Sequence, residues 1–343
     1  MIKSLFVKNF RNHQELSLSF EKFNYIEGLN GSGKTSLLEA LYYVSLLKSF
    51  RTSDDKNLIK SGSEYAKVIV KTTNDNYEVV LTESSKFLKR NNKVITKMSE
   101  FIGGYKVVIF SLEDLMIIRG FPKERRMFMD IEMSQVTNSY LKDLTVYKQV
   151  LKERNALLKQ LSDGDDLTFL KIITKRLSLE ADLIITKRTA FLKDLNSAFK
   201  KHFKRLNEKD GVSIIYEPDV GLNSLEVVLN EELKKELITK TTTRGPHRDD
   251  FMITFNGKLA KTHASGGQQR LIMIALKIAL LDLLKDEVVI LLDDVLSELD
   301  LEVKKMIENI FKETKQVIMT GTDNNYYEIN NIYLERKSED GSK

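Results

Sequence analysis

Hydrophobic and polar positions divide the chain into stretches of different secondary structure. Up to about Ile118, short segments such as "YAKVIVKT", "NYEVVLTE" and "YKVVIFS" have the pattern of strands, and one apolar helix follows a glycine-rich loop. The pattern becomes helical at "RGFPKERR", because Pro122 suits the first turn of a helix, and it stays helical for roughly ninety residues. We therefore expect an α/β region followed by a helical segment.

Two apolar stripes at helical spacing lie within this segment. The stretch "SDGDD", residues 162–166, separates them. Two antiparallel helices are the simplest interpretation, and the second would be about 55 Å long at 1.5 Å per residue. The first stripe contains Leu141, Leu144, Tyr147, Leu151, Leu158 and Leu161, and the second contains Leu170, Ile173, Leu177, Ile184, Phe191, Leu195 and Ala198.

Strand-like alternation returns after the helical segment, at "GVSIIYE". The stretch "DDFMITFNGKLAK" predicts a hairpin that turns at Asn256 and Gly257. A helix, the wholly apolar strand "VVILL", another helix and the strand "QVIMT" follow. Because neither flank has a complete core of its own, we predict one discontinuous domain of residues 1–118 and 212–343, with residues 119–211 inserted as a helical lobe.

Composition narrows the environment and the chemistry. The chain has 343 residues, 42% of them hydrophobic, and its net charge of +5 permits a nucleic-acid partner without requiring one. The lack of cysteine excludes disulfides, thiolate metal sites and cysteine nucleophiles. No stretch has the pattern of a signal peptide or the length of a transmembrane helix. We therefore expect a cytoplasmic protein with no membrane partner.

The glycine-rich loop "GLNGSGKTS" matches the phosphate-binding pattern G-x-x-x-x-G-K-[ST] between a predicted strand and a predicted helix. In such a loop, backbone N–H groups converge on phosphate, the lysine contacts the β and γ oxygens, and the threonine hydroxyl reaches Mg²⁺. A simple glycine turn before a helix is the alternative. The residues expected to bind ATP here are Gly28, Asn30, Gly31, Ser32, Gly33, Lys34, Thr35 and Ser36.

Two acidic residues end the apolar strand of "VVILLDDVLSELD". A wholly apolar strand suits the centre of a parallel sheet, so acids at its carboxyl end are expected beside the glycine loop. We expect Asp293 to bind Mg²⁺ and Asp294 to polarise the attacking water. The alternative is that both acids only cap the next helix.

The stretch "ASGGQQR" precedes another strongly apolar helix. Ser265 stands at the N-cap position, so the positive end of that helix would present Ser265, Gly266, Gly267 and Gln268 to an anion. The glycine loop already supplies a phosphate site. A second one is redundant unless it serves the nucleotide of another molecule.

These three motifs, in this order, resemble those of the ABC-type ATPases. The resemblance implies a head-to-tail homodimer with two ATP molecules between the subunits, in which Ser265 acts on the nucleotide held by the partner. A closer resemblance is to the RecF recombination-mediator family. It is carried by "NFRNHQELSLSF", "GLNGSGKTSLLEALYYVSLLKSFRT", "VVIFSLEDL", "GFPKERRMFMD", "TTRGPHRDDFMITFNGK", "ASGGQQR" and "ILLDDVLSELD".

The RecF resemblance implies a fold and further site residues. The fold would be α/β: an ABC-type P-loop ATPase head, with a mixed sheet and an antiparallel β part, and an inserted helical lobe. Arg11 and Asn12 would approach the nucleotide, and Ser297 to Asp300 would form a loop across the dimer. Thr320 occupies the place where many relatives have a histidine that senses the γ-phosphate.

The sequence departs from the family pattern in one stretch. Leu112 stands where the family usually has proline, and "FSLEDL" contains no glutamine of the kind found in the Q-loop of ABC ATPases. Glu113 or Asp114 could take over its role.

The same resemblance implies a function in recombinational DNA repair. ATP and Mg²⁺ would join two heads that clamp duplex DNA near single-stranded gaps, and slow, DNA-stimulated hydrolysis would release it. The protein would help to load RecA, with RecR and RecO as partners. A nucleotide-binding subunit of a membrane transporter would share the catalytic motifs, but the long two-helix arm argues against it. An SMC-like clamp would need a much longer coiled coil.

Three basic stretches have two interpretations each. "RGPHRDD" could form a structural turn before the hairpin strand, or its His247 and Arg248 could bind phosphate or the partner subunit. "KSFRT" at 48–52 and "KKHFKRLNEK" at 200–209 combine basic residues with phenylalanine, which suits DNA contact. Solvated helix faces have the same composition.

Overall fold

The computed structural model describes residues 1–162, 164–284, 287–295, 304, 305, 309, 316–322 and 330–334. The chain forms two compact units, Met1–Asp114 with Leu284–Lys343, and Leu115–Leu283. This division differs from the predicted domains. Residues 212–283 were predicted to fold with the N-terminal part of the chain, but they group with the helices. The reason is a shared core, in which Phe199 and Phe203 of the long helix belong to the same buried cluster as Phe251 and Phe255.

The first unit contains an antiparallel sheet of six strands. Its order is β2-β1-β4-β5-β6-β7, with β1 Ile2–Phe10, β2 His13–Ser19, β4 Tyr65–Thr72, β5 Asn76–Thr82, β6 Lys86–Arg90 and β7 Lys93–Ile95. Alternate residues of β4 and β5 are buried, as their sequence pattern predicts.

A parallel sheet of five strands forms the rest of the β structure in this unit. Its order is β14-β3-β13-β12-β8, with β3 Phe23–Gly28, β8 Lys106–Phe110, β12 Val288–Asp293, β13 Gln316–Gly321 and β14 Asn330–Leu334. Strand β12 has a partner on each side, which explains its wholly apolar run. The edge strand β14 begins with two asparagines, and among the described residues its partner is β3.

In the part of the first unit that the structure describes, one long and one short helix have complete bounds. Helix α1, Lys34–Leu46, packs against the parallel strands β3, β8, β12 and β13, and the short α2 covers Met98–Phe101. Two 3-10 turns cover Asp55–Leu58 and Leu112–Asp114. The helix predicted between β12 and β13 falls mostly outside the described residues.

The second unit begins with four helices, α3 Leu115–Arg119, α4 Pro122–Val136, α5 Asn138–Gln160 and α6 Thr168–Leu206. The predicted start at Pro122 and the predicted antiparallel pair are confirmed, since Arg154 late in α5 bonds to Thr174 early in α6, while Arg188 in the middle of α6 bonds to Tyr140 at the start of α5. Helix α6 has 39 residues and is therefore about 58 Å long.

The remainder of the second unit is a small sheet and further helices. Strands β9 Val212–Glu217, β10 Asp250–Phe255 and β11 Lys258–Leu259 are antiparallel, in the order β11-β10-β9. The hairpin turn has φ 50° at Asn256 and φ 76° at Gly257, as the Asn-Gly pair predicts. The helices are α7 Leu225–Glu231, α8 Leu233–Thr239, α9 Ala260–His263 and α10 Gly266–Leu284. No helix in the described part of the chain is both long enough and apolar enough to span a bilayer.

Candidate nucleotide-binding site

The glycine loop joins β3 to α1 at the carboxyl end of the parallel sheet. Gly31 and Gly33 have φ angles of 83° and 97°, which favour glycine. A Cβ atom at Gly33 would also lie 2.4 Å from His13 Nε2 and 2.6 Å from Asn12 Nδ2. The loop therefore depends on glycine at position 33 for both its backbone angle and its packing.

The donors of this loop point to an anionic ligand. Lys34 Nζ donates to the carbonyl oxygens of Gly28 at 2.5 Å and Leu29 at 3.1 Å. The buried Ser32 hydroxyl has no hydrogen-bond partner among the described residues. With the free N–H groups at the start of α1, these donors suit the oxygens of a nucleotide phosphate. The residues present therefore fit the phosphate chain of ATP.

Asp293 meets the glycine loop from the end of β12. Its Oδ1 accepts hydrogen bonds from Thr35 Oγ1 at 2.8 Å and Thr320 Oγ1 at 2.9 Å. Burial raises the pKa of Asp293, and the charge of Glu113 adds to the rise, while the bonds from Thr35 and Thr320 oppose it. A hydroxyl and one carboxylate are the ligands that Mg²⁺ uses beside phosphate oxygens. The pair Thr35 and Asp293 therefore fits the predicted metal position.

Asp294 differs from its neighbour in backbone and exposure. It is exposed and has a φ of 54°, a conformation uncommon for a residue with a side chain. Backbone strain of this kind is concentrated at functional sites. Strand β12 ends at Asp293, and the chain turns away at Asp294. Asp293 is partly buried, whereas Asp294 is exposed.

A cavity of about 890 Å³ lies over these groups, within the size range of small-molecule sites. All residues that line it belong to the first unit. Gly28 and Ser32 belong to the same glycine loop. The predicted site residues that the structure brings together around the cavity are Arg11, Asn12, Asn30, Gly31, Gly33, Lys34, Thr35, Ser36, Asp293, Asp294 and Thr320.

A buried carboxylate that sequence reasoning missed organises one wall of the cavity. Glu39 is fully buried and accepts two bonds from Arg11, at 2.8 Å and 2.6 Å, and one from Ser49 Oγ at 2.5 Å. Arg51 lies 3.6 Å from the same carboxylate and 3.9 Å from Glu113. The sequence contains one indication of this role, because Glu39 is the only acidic residue in the otherwise largely apolar α1.

The other charged residues near the cavity differ in whether they face it or bond to other parts of the protein. The Arg11 guanidinium, predicted to approach the nucleotide, also donates to the Asn57 carbonyl oxygen at 2.7 Å, so most of its donors have protein partners. Glu113 lines the cavity, whereas Asp114 accepts a hydrogen bond from the Ser111 backbone. Arg51 and Lys56 also line the cavity, whereas the sequence pattern of "KSFRT" suggests a contact with DNA for the stretch that contains Arg51.

The signature "SGGQ" lies in the second unit, where the predicted N-cap is confirmed. Ser265 Oγ accepts from the Gln268 backbone at 3.3 Å, and Gln268 Oε1 accepts from the Ser265 backbone at 2.8 Å. This reciprocal pair is a capping box. Gly266 and Gly267 are exposed, so the start of α10 is open to a ligand. The predicted loop from Ser297 to Asp300 lies outside the described residues.

Comparisons with known proteins agree with this geometry. A profile of the RecF/RecN/SMC N-terminal domain family matches residues 1–341. The DNA replication and repair proteins RecF of Acholeplasma laidlawii and Clostridium tetani are 40% and 38% identical to the chain, covering 93% and 94% of both sequences in each pair.

Solved structures are similar as well. The recombination mediator protein RecF with ATP, from the RecFOR pathway, aligns with a TM-score of 0.89 and 33% identity over 95% of this chain and 93% of that one. An Smc head domain from Pyrococcus furiosus has a TM-score of 0.53 at 17% identity, over 94% and 89% of the two chains, and shares the fold. The predicted fold class, an ABC-type ATPase head with an inserted helical lobe, is confirmed.

Proposed function

The chain belongs to the RecF recombination-mediator family, and from this premise we propose that it is an ATP-switched DNA-binding protein of recombinational repair. The observation that carries the proposal is the arrangement of the phosphate-binding and acidic motifs around one cavity. The glycine loop, Asp293 and Asp294 surround one cavity of the first unit, while the exposed signature begins a helix of the second unit. By the resemblance to ABC-type ATPases, the signature of a second copy of the chain would complete this site.

The residues of the glycine loop and those at the ends of β12 and β13 have proposed roles. The loop amides, Ser32 and Lys34 would bind the phosphates, and Thr35 with Asp293 would hold Mg²⁺, whose charge would offset that of the phosphates. Thr320 orients Asp293 through its 2.9 Å hydrogen bond. Asp294, exposed at the cavity, accepts the proton of the attacking water.

The signature would complete the site of a second copy. Ser265, the Gly266 and Gly267 amides and the positive end of α10 offer donors to phosphate oxygens. Gln268 maintains the helix end through the capping box. Asp300 is proposed to contribute to the same interface. The resulting homodimer would be head to tail, with nucleotide between the copies.

The biological setting is proposed from the relatives. A structure of RecF with ATP is assigned to the RecFOR pathway. We infer that the ATP-joined dimer binds duplex DNA and single-stranded gap junctions, and that slow, DNA-stimulated hydrolysis releases it. RecR and RecO would be its protein partners in RecA loading, and the cytoplasm its location.

The substitution Ser265→Arg tests this arrangement. Because Ser265 serves the other copy, the variant should bind ATP nearly as tightly as the wild type and yet neither dimerise nor hydrolyse ATP. Nucleotide titration, light scattering and phosphate release measure the three properties. Ala190→Arg, an exposed site on α6, is the matched control and should behave as the wild type. Loss of ATP binding in Ser265→Arg would refute the assignment.

A further inference from the structure

Buried contacts hold the end of the "RGPHRDD" segment, residues 244–250. Asp249 is fully buried and accepts from Arg188 Nη1 at 2.7 Å, from the Tyr216 hydroxyl at 2.5 Å and from the Asp219 backbone at 2.9 Å. Asp250 accepts two bonds from Arg125, both at 2.7 Å. Such bidentate, charge-assisted bonds restrict geometry strongly.

The start of the segment is held as well. The Pro246 carbonyl oxygen accepts from Arg188 at 2.6 Å, and His247 Nδ1 lies 2.7 Å from the Tyr147 hydroxyl. Arg244 pairs with Asp219 at 3.0 Å. These contacts give a structural role to every side chain of the segment that can form a hydrogen bond or ion pair, with the exception of Arg248. Arg248 is exposed and projects from a backbone that is held on both sides.

Arg126 lies beside this exposed arginine. It donates from Nη1 to the Asp249 carbonyl oxygen at 2.8 Å. Burial lowers the pKa of Arg126; the charges of Arg188 and Arg248 act in the same direction, and those of Asp250 and Asp130 oppose it. Because Arg126 donates to the carbonyl oxygen of the residue that follows Arg248, its guanidinium lies beside the backbone from which Arg248 projects.

The nearby carboxylates already have partners. Asp130 and Asp249 pair with Arg188, and Asp250 pairs with Arg125. Among the residues that the structure describes, neither Arg126 nor Arg248 has an ion-pair partner within 4.0 Å. Two arginines at the same stretch of backbone, neither with an ion pair of its own, suit a phosphate, which offers them several acceptor oxygens.

We propose that Arg126 and Arg248 form a binding site for a backbone phosphate of DNA. The site rests on the proposed function and adds a contact surface to it. Hydrogen bonds fix the backbone on both sides of Arg248, so less conformational entropy is lost when Arg248 binds a ligand. A phosphate contact of this kind positions nucleic acid without reading its sequence.

The test compares Arg248→Ala and Arg248→Lys with the wild type in the ATP-bound, full-length protein. Binding to a fluorescent duplex is measured by anisotropy over a range of salt concentrations. Arg248→Ala should lower affinity about tenfold and reduce the slope of log affinity against log salt by about one. Arg248→Lys should keep the slope, because its charge remains, and recover only part of the affinity.

A matched control separates this effect from general charge. Lys159→Ala removes an exposed cation at the far end of α5, twelve residues beyond Tyr147 and so about 18 Å along the helix. It should leave slope and affinity unchanged. Thermal melting should be the same for all variants, since Arg248 is exposed.

Three outcomes would overturn the proposal in different ways. Unchanged DNA binding by Arg248→Ala, with normal binding by the wild type, would reject the site and leave the proposed function standing. If Arg248→Ala binds DNA normally but no longer binds inorganic phosphate in a calorimetric titration, the site binds a free anion and not DNA. Failure of the wild type to bind DNA at any salt concentration would reject both proposals.

Discussion

Two adjacent carboxylates have different environments, and this difference suits them to different work. Asp293 is partly buried and bonded to Thr35 and Thr320, so it is positioned and shielded. Asp294 is exposed at a left-handed backbone position. A shielded, hydroxyl-bonded acid suits metal binding, and an exposed acid at the cavity suits proton transfer. The assignment of roles therefore follows from surroundings rather than from residue type.

The substitution Asp294→Asn tests the second role. It preserves size and removes the proton acceptor, so hydrolysis should fall by roughly 10²- to 10⁴-fold while ATP binding and dimerisation persist. Phosphate release and light scattering in the presence of ATP measure both effects, and an ATP-bound dimer should accumulate. Glu100→Gln, an exposed acid of the same unit, is the control. Hydrolysis at the wild-type rate by Asp294→Asn would show that another group is the base.

At the scale of elements, buried arginines join the helices of the second unit to its other segments. Arg154 of α5 is 1% exposed and donates to Thr174 of α6, to Thr242, and to Glu236 of α8 at 2.6 Å. Arg188 of α6 bonds in the same way to Asp130 and Asp249. Removing one member of such a pair leaves a buried charge without compensation. The orientation of α5, α6 and α8 thus depends on polar contacts as well as on apolar packing.

Arg154→Ala should therefore destabilise the protein strongly. We expect a loss of about 3–5 kcal/mol, because Glu236 would lose its charged partner inside the protein. Urea denaturation followed by circular dichroism measures the change. Lys159→Ala on the exposed surface of the same helix should change stability by no more than about 0.5 kcal/mol. A loss in Arg154→Ala as small as that of the control would contradict the importance of this ion pair.

At the scale of the whole molecule, the proposed ATPase depends on association. The described residues that line the cavity belong to the first unit, and the signature belongs to the second. Binding energy at the phosphates would then contribute both to nucleotide affinity and to dimerisation, which are thermodynamically linked. Loss of phosphate contact should affect the two together, whereas loss of the signature should affect only association.

The substitution Lys34→Met tests this linkage. The variant keeps the aliphatic length and loses the ammonium group, so ATP binding and ATP-dependent dimerisation should both be weakened. Nucleotide titration and sedimentation velocity with and without ATP measure them. Lys71→Met, an exposed lysine on β4, should behave as the wild type. A Lys34→Met protein that dimerises normally on ATP would separate dimerisation from phosphate binding and contradict the proposal.

Several features were predictable because their signals are local. Pro122 begins a helix, Asn256 and Gly257 turn a hairpin, and Ser265 caps α10, each through backbone preferences that act over a few residues. The apolar run of β12 also predicted a central parallel strand. The glycine loop and the acids that end β12 also predicted that Asp293 lies beside the loop, where it accepts a hydrogen bond from Thr35.

The sequence by itself thus determined the order and type of most elements and the chemistry of the phosphate loop. Only the tertiary structure decided which distant side chains share a partner. It paired Arg11 with Glu39, 28 residues apart, grouped residues 212–283 with the helices, and left Arg248 exposed beside the buried Asp249. The physical reason is that burial and ion pairing depend on segments far apart in the chain, whereas helix caps and turns depend on immediate neighbours.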